Sequence, residues 1–274
     1  MRSWLTLSRR YAAVLALSGG AAAAGCAPAI STQQEVQMGA QYASEINRQI
    51  PIVQNQQIHN YINQLGNTIA RQADPRGIQY TFYLVNAPEV NAFAIPGGHI
   101  YINRGLVDRA SNMSELAGVL GHEIGHVVHR HGIDQMQRAQ NAELGVNLAY
   151  ILLGRQPSGV EQVGLQVGAG AFFARHSREA ELEADAVAIE YLIASGIHPQ
   201  GLVTMFQQLI AERNRTPGSV EQWFSTHPLT EDRIANISRL ISTIPQSRLN
   251  NLATNSQAYQ EFRQRVRRLP AAPR

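Results

Sequence analysis

The stretch GVLGHEIGHVVHRHG, residues 118–132, carries two histidines four positions apart, His122 and His126, with Glu123 between them. Residues four apart lie on one face of an α-helix, so both imidazoles can reach the same metal ion. Glu123 is rotated about 100° from His122 around the helix, which directs its carboxylate to a water on the metal. The pattern is typical of a zinc peptidase, in which the carboxylate assists attack of zinc-bound water on the peptide carbonyl.

Most other residues of this helix are apolar, which predicts that it is buried. Its start is predicted at Ser111 or Asn112, since either can cap a helix, and its end at Gly132. Buried histidine and glutamate side chains need partners, which disfavours the alternative of a polar pair without metal. Gly121 and Gly125 are expected to leave room beside the two histidines.

A third ligand is expected in the acidic segment SREAELEADAVAIEYL, residues 177–192. Glu181 and Asp185 are four apart and share a helix face, which suits a metal ligand and a carboxylate that orients a ligand histidine. Spacing favours Glu181 only modestly and leaves Glu183 open as the ligand. Of the other acids of this helix, Glu179 and Glu190 are expected to face solvent.

The first 26 residues have a basic start, an apolar run at 11–17 and several small residues before Cys26. This order predicts a secretory signal, because a membrane span needs about 20 apolar residues. The residues AAGC at 23–26 are similar to a lipoprotein cleavage site, apart from Ala23 in place of the usual leucine. Cys26, the only cysteine, is therefore predicted to be lipidated; the alternative is ordinary cleavage close by.

The formal charge of +3 belongs to this N-terminal segment. Residues 1–25 hold three of the 23 basic residues and none of the 20 acidic ones, so the remaining chain is neutral. A neutral chain predicts no nucleic-acid partner. Residues 134–153 and 160–175 are predicted to be apolar helices that cover the cleft, and interrupting polar residues exclude either as a membrane span.

Apolar periodicity and turn residues predict an α+β fold that is mainly helical, with a small β-sheet before the histidine-bearing helix. The predicted elements are helices at 33–50 and 54–72, a strand at 78–85, two strands within 90–106, and later helices at 177–195, 199–212, 230–242 and 255–267. Residues 213–229 are expected to form a polar, mobile loop that contains Trp223 and Phe224. The predicted organisation is a signal peptide at 1–26, a tether at 27–32, a metallopeptidase domain at 33–245 and a helical tail at 246–274.

Four motifs in this order resemble the zinc metallopeptidase family of the HtpX heat-shock proteases, the CAAX prenyl proteases and the OMA-type proteases. They are NAFAIPGGHIYINRGL at 91–106, HEIGHVVHRH at 122–131, SREAELEAD at 177–185 and HPLTEDRI at 227–234. The resemblance covers about residues 35–240 and implies a zincin-like, gluzincin fold. An exported, lipoprotein-like chain without membrane helices is most similar to the periplasmic members of the BepA and LoiP type.

The resemblance implies one Zn²⁺ per chain, held by the two motif histidines and Glu181, with Glu123 as the catalytic base. It implies that His227 approaches the metal as a temporary fourth ligand or a transition-state donor; the alternative is a cap for the helix at 230. Arg233 is expected to hold the His227 segment or a carboxylate near the site. The family's edge strand can pair with an extended substrate, and its residues here are Asn91, Ala92, Phe93 and Ala94.

The remaining histidines are expected to be structural. His129 and His131 are predicted to pack near, or to cap, the end of the metal helix. The others are assigned to the structural framework or the surface: His59, His99, His176 and His198.

Together these features predict a zinc endopeptidase of the bacterial envelope, periplasmic and anchored to the outer membrane through Cys26. Its predicted substrates are unfolded or misassembled envelope proteins, and the outer-membrane assembly machinery is a candidate partner. One rival is a chaperone-like assembly factor with latent or minor proteolysis. Another is a metal hydrolase for non-peptide bonds, which the edge strand disfavours because only a polypeptide gains from strand pairing.

Overall fold

The computed structural model describes residues 30–138 and 175–272. The strands are β1 (Thr81–Val85), β2 (Ala92–Ile95) and β3 (His99–Asn103). The helices are α1 (Thr32–Gln49), α2 (Gln56–Ala73), α3 (Arg104–Arg109), α4 (Met113–Val128), α5 (131–138), α6 (Arg178–Ala194), α7 (Gln200–Arg215), α8 (Pro217–Thr226), α9 (Glu231–Ser242), α10 (Gln246–Leu249) and α11 (Gln257–Arg267). This confirms the predicted α+β class, mainly helical, with a small sheet before the histidine-bearing helix α4.

The sheet has the order β1-β3-β2, with β3 parallel to β1 and antiparallel to β2. Gly97 and Gly98 form the β2–β3 turn with φ of 80° and 85°, a region that favours glycine. The far side of β1 is covered by Ile52, which bridges to Val85. Within the described ranges no strand lies beyond β2, so β2 is an edge strand, as predicted.

Helix α4 is the centre of the fold and packs against α6, α7, α2 and β2. A side chain at Gly125 would place its Cβ 3.2 Å from the Cα atom of Ala184 on α6. The predicted space beside the histidines is therefore filled by the α6 backbone. This close approach carries the first turn of α6, and with it Glu181, towards the histidines of α4.

The predicted helix end at Gly132 is wrong: α4 ends at Val128, and Gly132 lies inside α5. The chain turns at Arg130, which has a left-handed φ of 58°. Long-range contacts hold Arg130 there, since its Nε donates to buried Glu35 at 2.8 Å and its Nη2 donates to the Ile30 carbonyl at 2.5 Å. The turn starts a new helix beside the site.

The predicted loop at 213–229 is also wrong, because most of it forms α8. Val220 and Trp223 are both fully buried, and Trp223 packs against Phe206 of α7 at a ring distance of 6.3 Å. Burial of an indole contributes a large hydrophobic free energy, so this polar stretch folds as a helix around Trp223.

The remaining predictions concern residues 134–175, the C-terminal helix α11 and membrane-spanning helices. The predicted helices at 134–153 and 160–175 fall mostly outside the described residues, although 134–138 is helical. Helix α11 packs on α2 and α3 and joins the main core through Tyr259, Phe262 and Val266. Within the described ranges, no helix combines the length and apolar character needed to cross a bilayer.

Candidate functional site

Four buried side chains converge between α4, α6 and the end of α8. One ligand atom from each lies within 4.8 Å of the others, in the set His122, His126, Glu181 and His227. His122 Nε2 is 3.1 Å from His126 Nε2 and 3.3 Å from His227 Nδ1. Glu181 Oε1 is 3.4 Å from His126 Nε2 and 3.1 Å from His227 Nδ1. Three buried imidazoles and one buried carboxylate form a donor set that could hold a transition-metal ion.

Local structure explains how each donor reaches this point. His122 and His126 are one turn apart on α4, and Glu181 lies in the first turn of α6, which Ser177 caps by accepting from the Ala180 amide. His227 follows α8, and the Trp223 ring stacks on it at 4.5 Å. Helix α9 is capped by Thr230 instead of His227, so His227 serves the cluster.

Glu123 lies beside the four donors without being one of them. Its Oε1 is 3.4 Å from His227 Nε2, is buried and makes no hydrogen bond among the described residues. Burial raises the pKa of the Glu123 carboxyl above its usual value, against the opposing effects of His227 and His122. A carboxylate with a raised pKa is a stronger proton acceptor, which suits a general base.

Arg233 of α9 ties the carboxylates of α6 together. Its Nε and Nη2 donate to both oxygens of Asp185, at 2.8 and 2.7 Å, while Nη1 contacts Glu181 and donates to the Pro228 carbonyl at 2.9 Å. Asp185 Oδ1 in turn lies 2.9 Å from His122 Nδ1, at an angle too bent for a hydrogen bond. The guanidinium therefore holds both the segment after His227 and the carboxylates, which are the two alternatives that the sequence left open.

The charge balance of this cluster keeps Glu181 ionised. Burial favours its neutral form, but the neighbouring His227 and His126 outweigh burial, and the pKa of Glu181 falls well below its usual value. An ionised carboxylate is the form that binds a metal ion.

A second chain of contacts supports His126 from the other side. Its Nδ1 is 2.8 Å from His131 Nδ1, and His131 Nε2 is 3.0 Å from Glu183 Oε2. The other Glu183 oxygen contacts His129 Nδ1 at 2.9 Å. Glu183, the competing ligand candidate, therefore lies outside the donor set and holds two histidines. Sequence reasoning missed the contact between His131 and His126, because it depends on the turn at Arg130.

The predicted substrate strand borders the cluster. Asn91 precedes β2, and its carbonyl accepts the Asn103 amide of β3 at 2.9 Å. Ala92, Phe93 and Ala94 lie in β2. Ala94 lines a recess that also contains Glu123 and His126, with an empty volume of about 340 Å³ that is partly open to solvent.

His176, which was expected to be a structural or surface residue, also lies beside the cluster. His176 stacks on His126 with ring centroids 4.0 Å apart, and it lines the same recess. The other three histidines lie elsewhere: His59 is exposed, His99 contacts Tyr83, and His198 accepts the Gln200 amide. Cys26, the predicted lipidation site, lies outside the described residues.

The chain is similar in sequence to known metalloproteases. The model of "Peptidase family M48" matches residues 53–241. The chain is 33% identical over 214 residues to the beta-barrel assembly-enhancing protease of Yersinia pestis, which covers 76% of this chain and 44% of that protein. It is 32% identical over 180 residues to metalloprotease YcaL of Escherichia coli (strain K12), an alignment that covers 65% of this chain and 66% of that protein. It is 31% identical over 160 residues to the mitochondrial metalloendopeptidase OMA1 of Arabidopsis thaliana, an alignment that covers 57% of this chain and 30% of that protein. The chain thus spans less than half the length of the assembly-enhancing proteases.

Proposed function

The chain belongs to peptidase family M48 and is a metallopeptidase; from this we propose that it is a zinc endopeptidase of the bacterial cell envelope that cleaves unfolded or misassembled proteins. The observation that carries the proposal is the buried set of three imidazoles and one carboxylate beside Glu123, whose Oε1 is buried and makes no hydrogen bond among the described residues. A buried carboxylate oxygen without a hydrogen-bond partner, next to a metal site, suits a general base.

The donor set suits Zn²⁺, one ion per chain, better than Ca²⁺ or Mg²⁺, which take oxygen ligands. His122, His126 and Glu181 would hold the ion, and His227 would be a temporary fourth ligand. When bound, zinc acidifies water and polarises the peptide carbonyl. While His227 remains among the donors, it would occupy the position that a water needs, and the enzyme would be latent.

The protein's own groups carry out the remaining steps. Glu123 takes a proton from the attacking water and returns it to the nitrogen of the leaving amine. Asp185 and His131 orient the two ligand histidines. The edge of β2 from Ala92 to Ala94 pairs with the extended substrate through main-chain hydrogen bonds, which places the scissile carbonyl near Glu123.

The proposed location is the periplasmic face of the outer membrane, with a lipid on Cys26 as the anchor. The signal-like first 26 residues support export, and the relatives named as assembly-enhancing proteases support the outer-membrane assembly machinery as a partner. Mass spectrometry of the N-terminus of membrane-purified protein tests the anchor, because an unmodified residue there excludes it.

We expect the full chain loaded with zinc to cut reduced, carboxymethylated lysozyme and to leave native, disulfide-bonded lysozyme intact. A chelator should abolish the cleavage, and stoichiometric Zn²⁺ should restore it, because the donor set supplies the only proposed site for the attack. Peptide mapping and metal analysis measure both results. Retention of one zinc per chain without any cleavage would support the rival binding role instead.

His131 should set the affinity for zinc although it is not a ligand. Substitution His131→Phe removes the contact that orients His126, and loss of such a partner weakens metal binding by about 10–100-fold. Competition with a chromogenic chelator measures the dissociation constant. The matched control is His59→Phe on the exposed face of α2, and equal affinities for the two variants would contradict the proposed role.

A further inference from the structure

Helix α5 presents two polar side chains, one turn apart, to two stacked imidazoles. His131 contacts His126, as described above, and Gln135 Nε2 lies 3.1 Å from Nδ1 of His176. The His126 and His176 rings are 4.0 Å apart with an angle of 27° between their planes. Residues four apart share a helix face, so the turn at Arg130 positions both supports together.

The contact with Gln135 fixes the tautomer of His176. The same Gln135 amide nitrogen points at the Arg175 carbonyl at 3.4 Å, where an amide oxygen would be repelled. The group facing His176 is therefore an NH₂ donor, and Nδ1 accepts from it. Because Nδ1 accepts this hydrogen bond, it carries no hydrogen, and the ring hydrogen is on Nε2.

The Nε2–H group of His176 is a donor without a partner among the described residues. Its ring lines the recess that holds Glu123 and His126, together with Ala94 and Ile95 of the edge strand. A peptide paired with β2 would lie between this strand and His176. Nδ1 of His227 lies 3.3 Å from His122 Nε2, and its Nε2 lies 3.4 Å from Glu123 Oε1, so both nitrogens of His227 already face the metal site and the base.

We propose that His176 is a further catalytic residue, whose Nε2–H donates a hydrogen bond to the carbonyl oxygen of the scissile peptide as negative charge develops on it. Gln135 is the positioning residue that keeps this hydrogen on Nε2. The proposal rests on the proposed peptidase function. Under this proposal the two histidines have different roles: His227 opens or closes the metal site, and His176 stabilises the transition state.

The test is the substitution His176→Phe, which keeps an aromatic ring on His126 and removes the donor. Removal of one oxyanion donor lowers kcat by about 10²–10³-fold, and we expect a loss of about 10²-fold here with KM changed less than about threefold. Zinc affinity should equal that of the wild type. Gln135→Met should give a smaller loss of kcat, because it leaves the donor in place and frees its tautomer. His59→Phe serves as the control.

A second readout uses an acetylated phosphinic tetrapeptide amide, whose tetrahedral phosphinate oxygens imitate the charged transition state. His176→Phe should bind it about 10²-fold more weakly than the wild type does. Unchanged kcat and unchanged phosphinate affinity would overturn the proposal, and so would a parallel fall in zinc affinity, since His176 would then only support His126. A wild type that cuts no peptide refutes the proposed function, and the phosphinate affinities still decide the role of His176.

Discussion

Replacement of Glu123 by glutamine should lower kcat for cleavage of an unfolded protein by about 10³-fold or more, at the upper end of what general-base catalysis contributes. The carboxylate is buried, its Oε1 makes no hydrogen bond among the described residues, and His227 and His122 lie beside it. Glutamine has the same shape but cannot accept a proton. Because Glu123 is outside the four-donor set, the variant should keep its zinc.

The experiment compares Glu123→Gln with Glu190→Gln, which changes an exposed acid of α6 that pairs with Arg248. Zinc content, cleavage of carboxymethylated lysozyme and thermal unfolding are measured for both variants. We expect full activity for the control and a zinc-loaded, folded but inactive Glu123 variant. Comparable activity of Glu123→Gln and wild type would exclude Glu123 as the base.

Substitution Arg233→Met should lower the free energy of unfolding by about 3–5 kcal/mol, the range found when one partner of a buried ion pair is removed. The guanidinium is 2% exposed and forks onto Asp185 while contacting Glu181. Without it, two carboxylates stay buried side by side. Methionine fills much of the space, so the loss reports the charge and hydrogen bonds and not a cavity.

Urea unfolding of chelator-treated protein measures this loss apart from any effect of bound metal. Arg239→Met on the exposed side of α9 is the matched control, with an expected change within about 0.5 kcal/mol. Arg233→Lys should fall between the two, because an ammonium keeps the charge but loses the planar fork. A loss below about 1 kcal/mol for Arg233→Met would show that the carboxylates have another counter-charge.

Local sequence patterns were sufficient for the parts of the fold that depend on local chemistry. The two strands predicted within 90–106 are joined by a turn that needs two residues with positive φ, which Gly97 and Gly98 supply. The metal helix and its Asn112 cap follow from apolar periodicity and capping chemistry. Spacing favoured Glu181 only modestly over Glu183, and the resemblance to the family motif completed the assignment.

The errors arose where distant residues determine local structure. Arg130 ends α4 because Glu35 and Ile30, about a hundred residues earlier, hold it. Trp223 sits in a polar stretch whose composition suggests a loop, and only its burial against α7 makes that stretch helical. The contact of His131 with His126 depends on the same long-range turn. His176 is fifty residues from His126 in sequence, and its amide donates to the Thr226 carbonyl, so no spacing rule could reveal either contact.

The hydrogen bond from Arg130 to the Ile30 carbonyl limits how far the cleft can reach from an N-terminal anchor. Arg130 lines the recess beside Glu123, and three residues lie between Cys26 and Ile30, which makes four Cα–Cα steps. A fully extended chain of that length spans about 14 Å. If Cys26 carries a lipid, the cleft stays close to the membrane, and the enzyme reaches only proteins in a thin layer at the membrane surface. Proteins stalled at that surface would be within reach, whereas those that drift into the surrounding compartment would escape it.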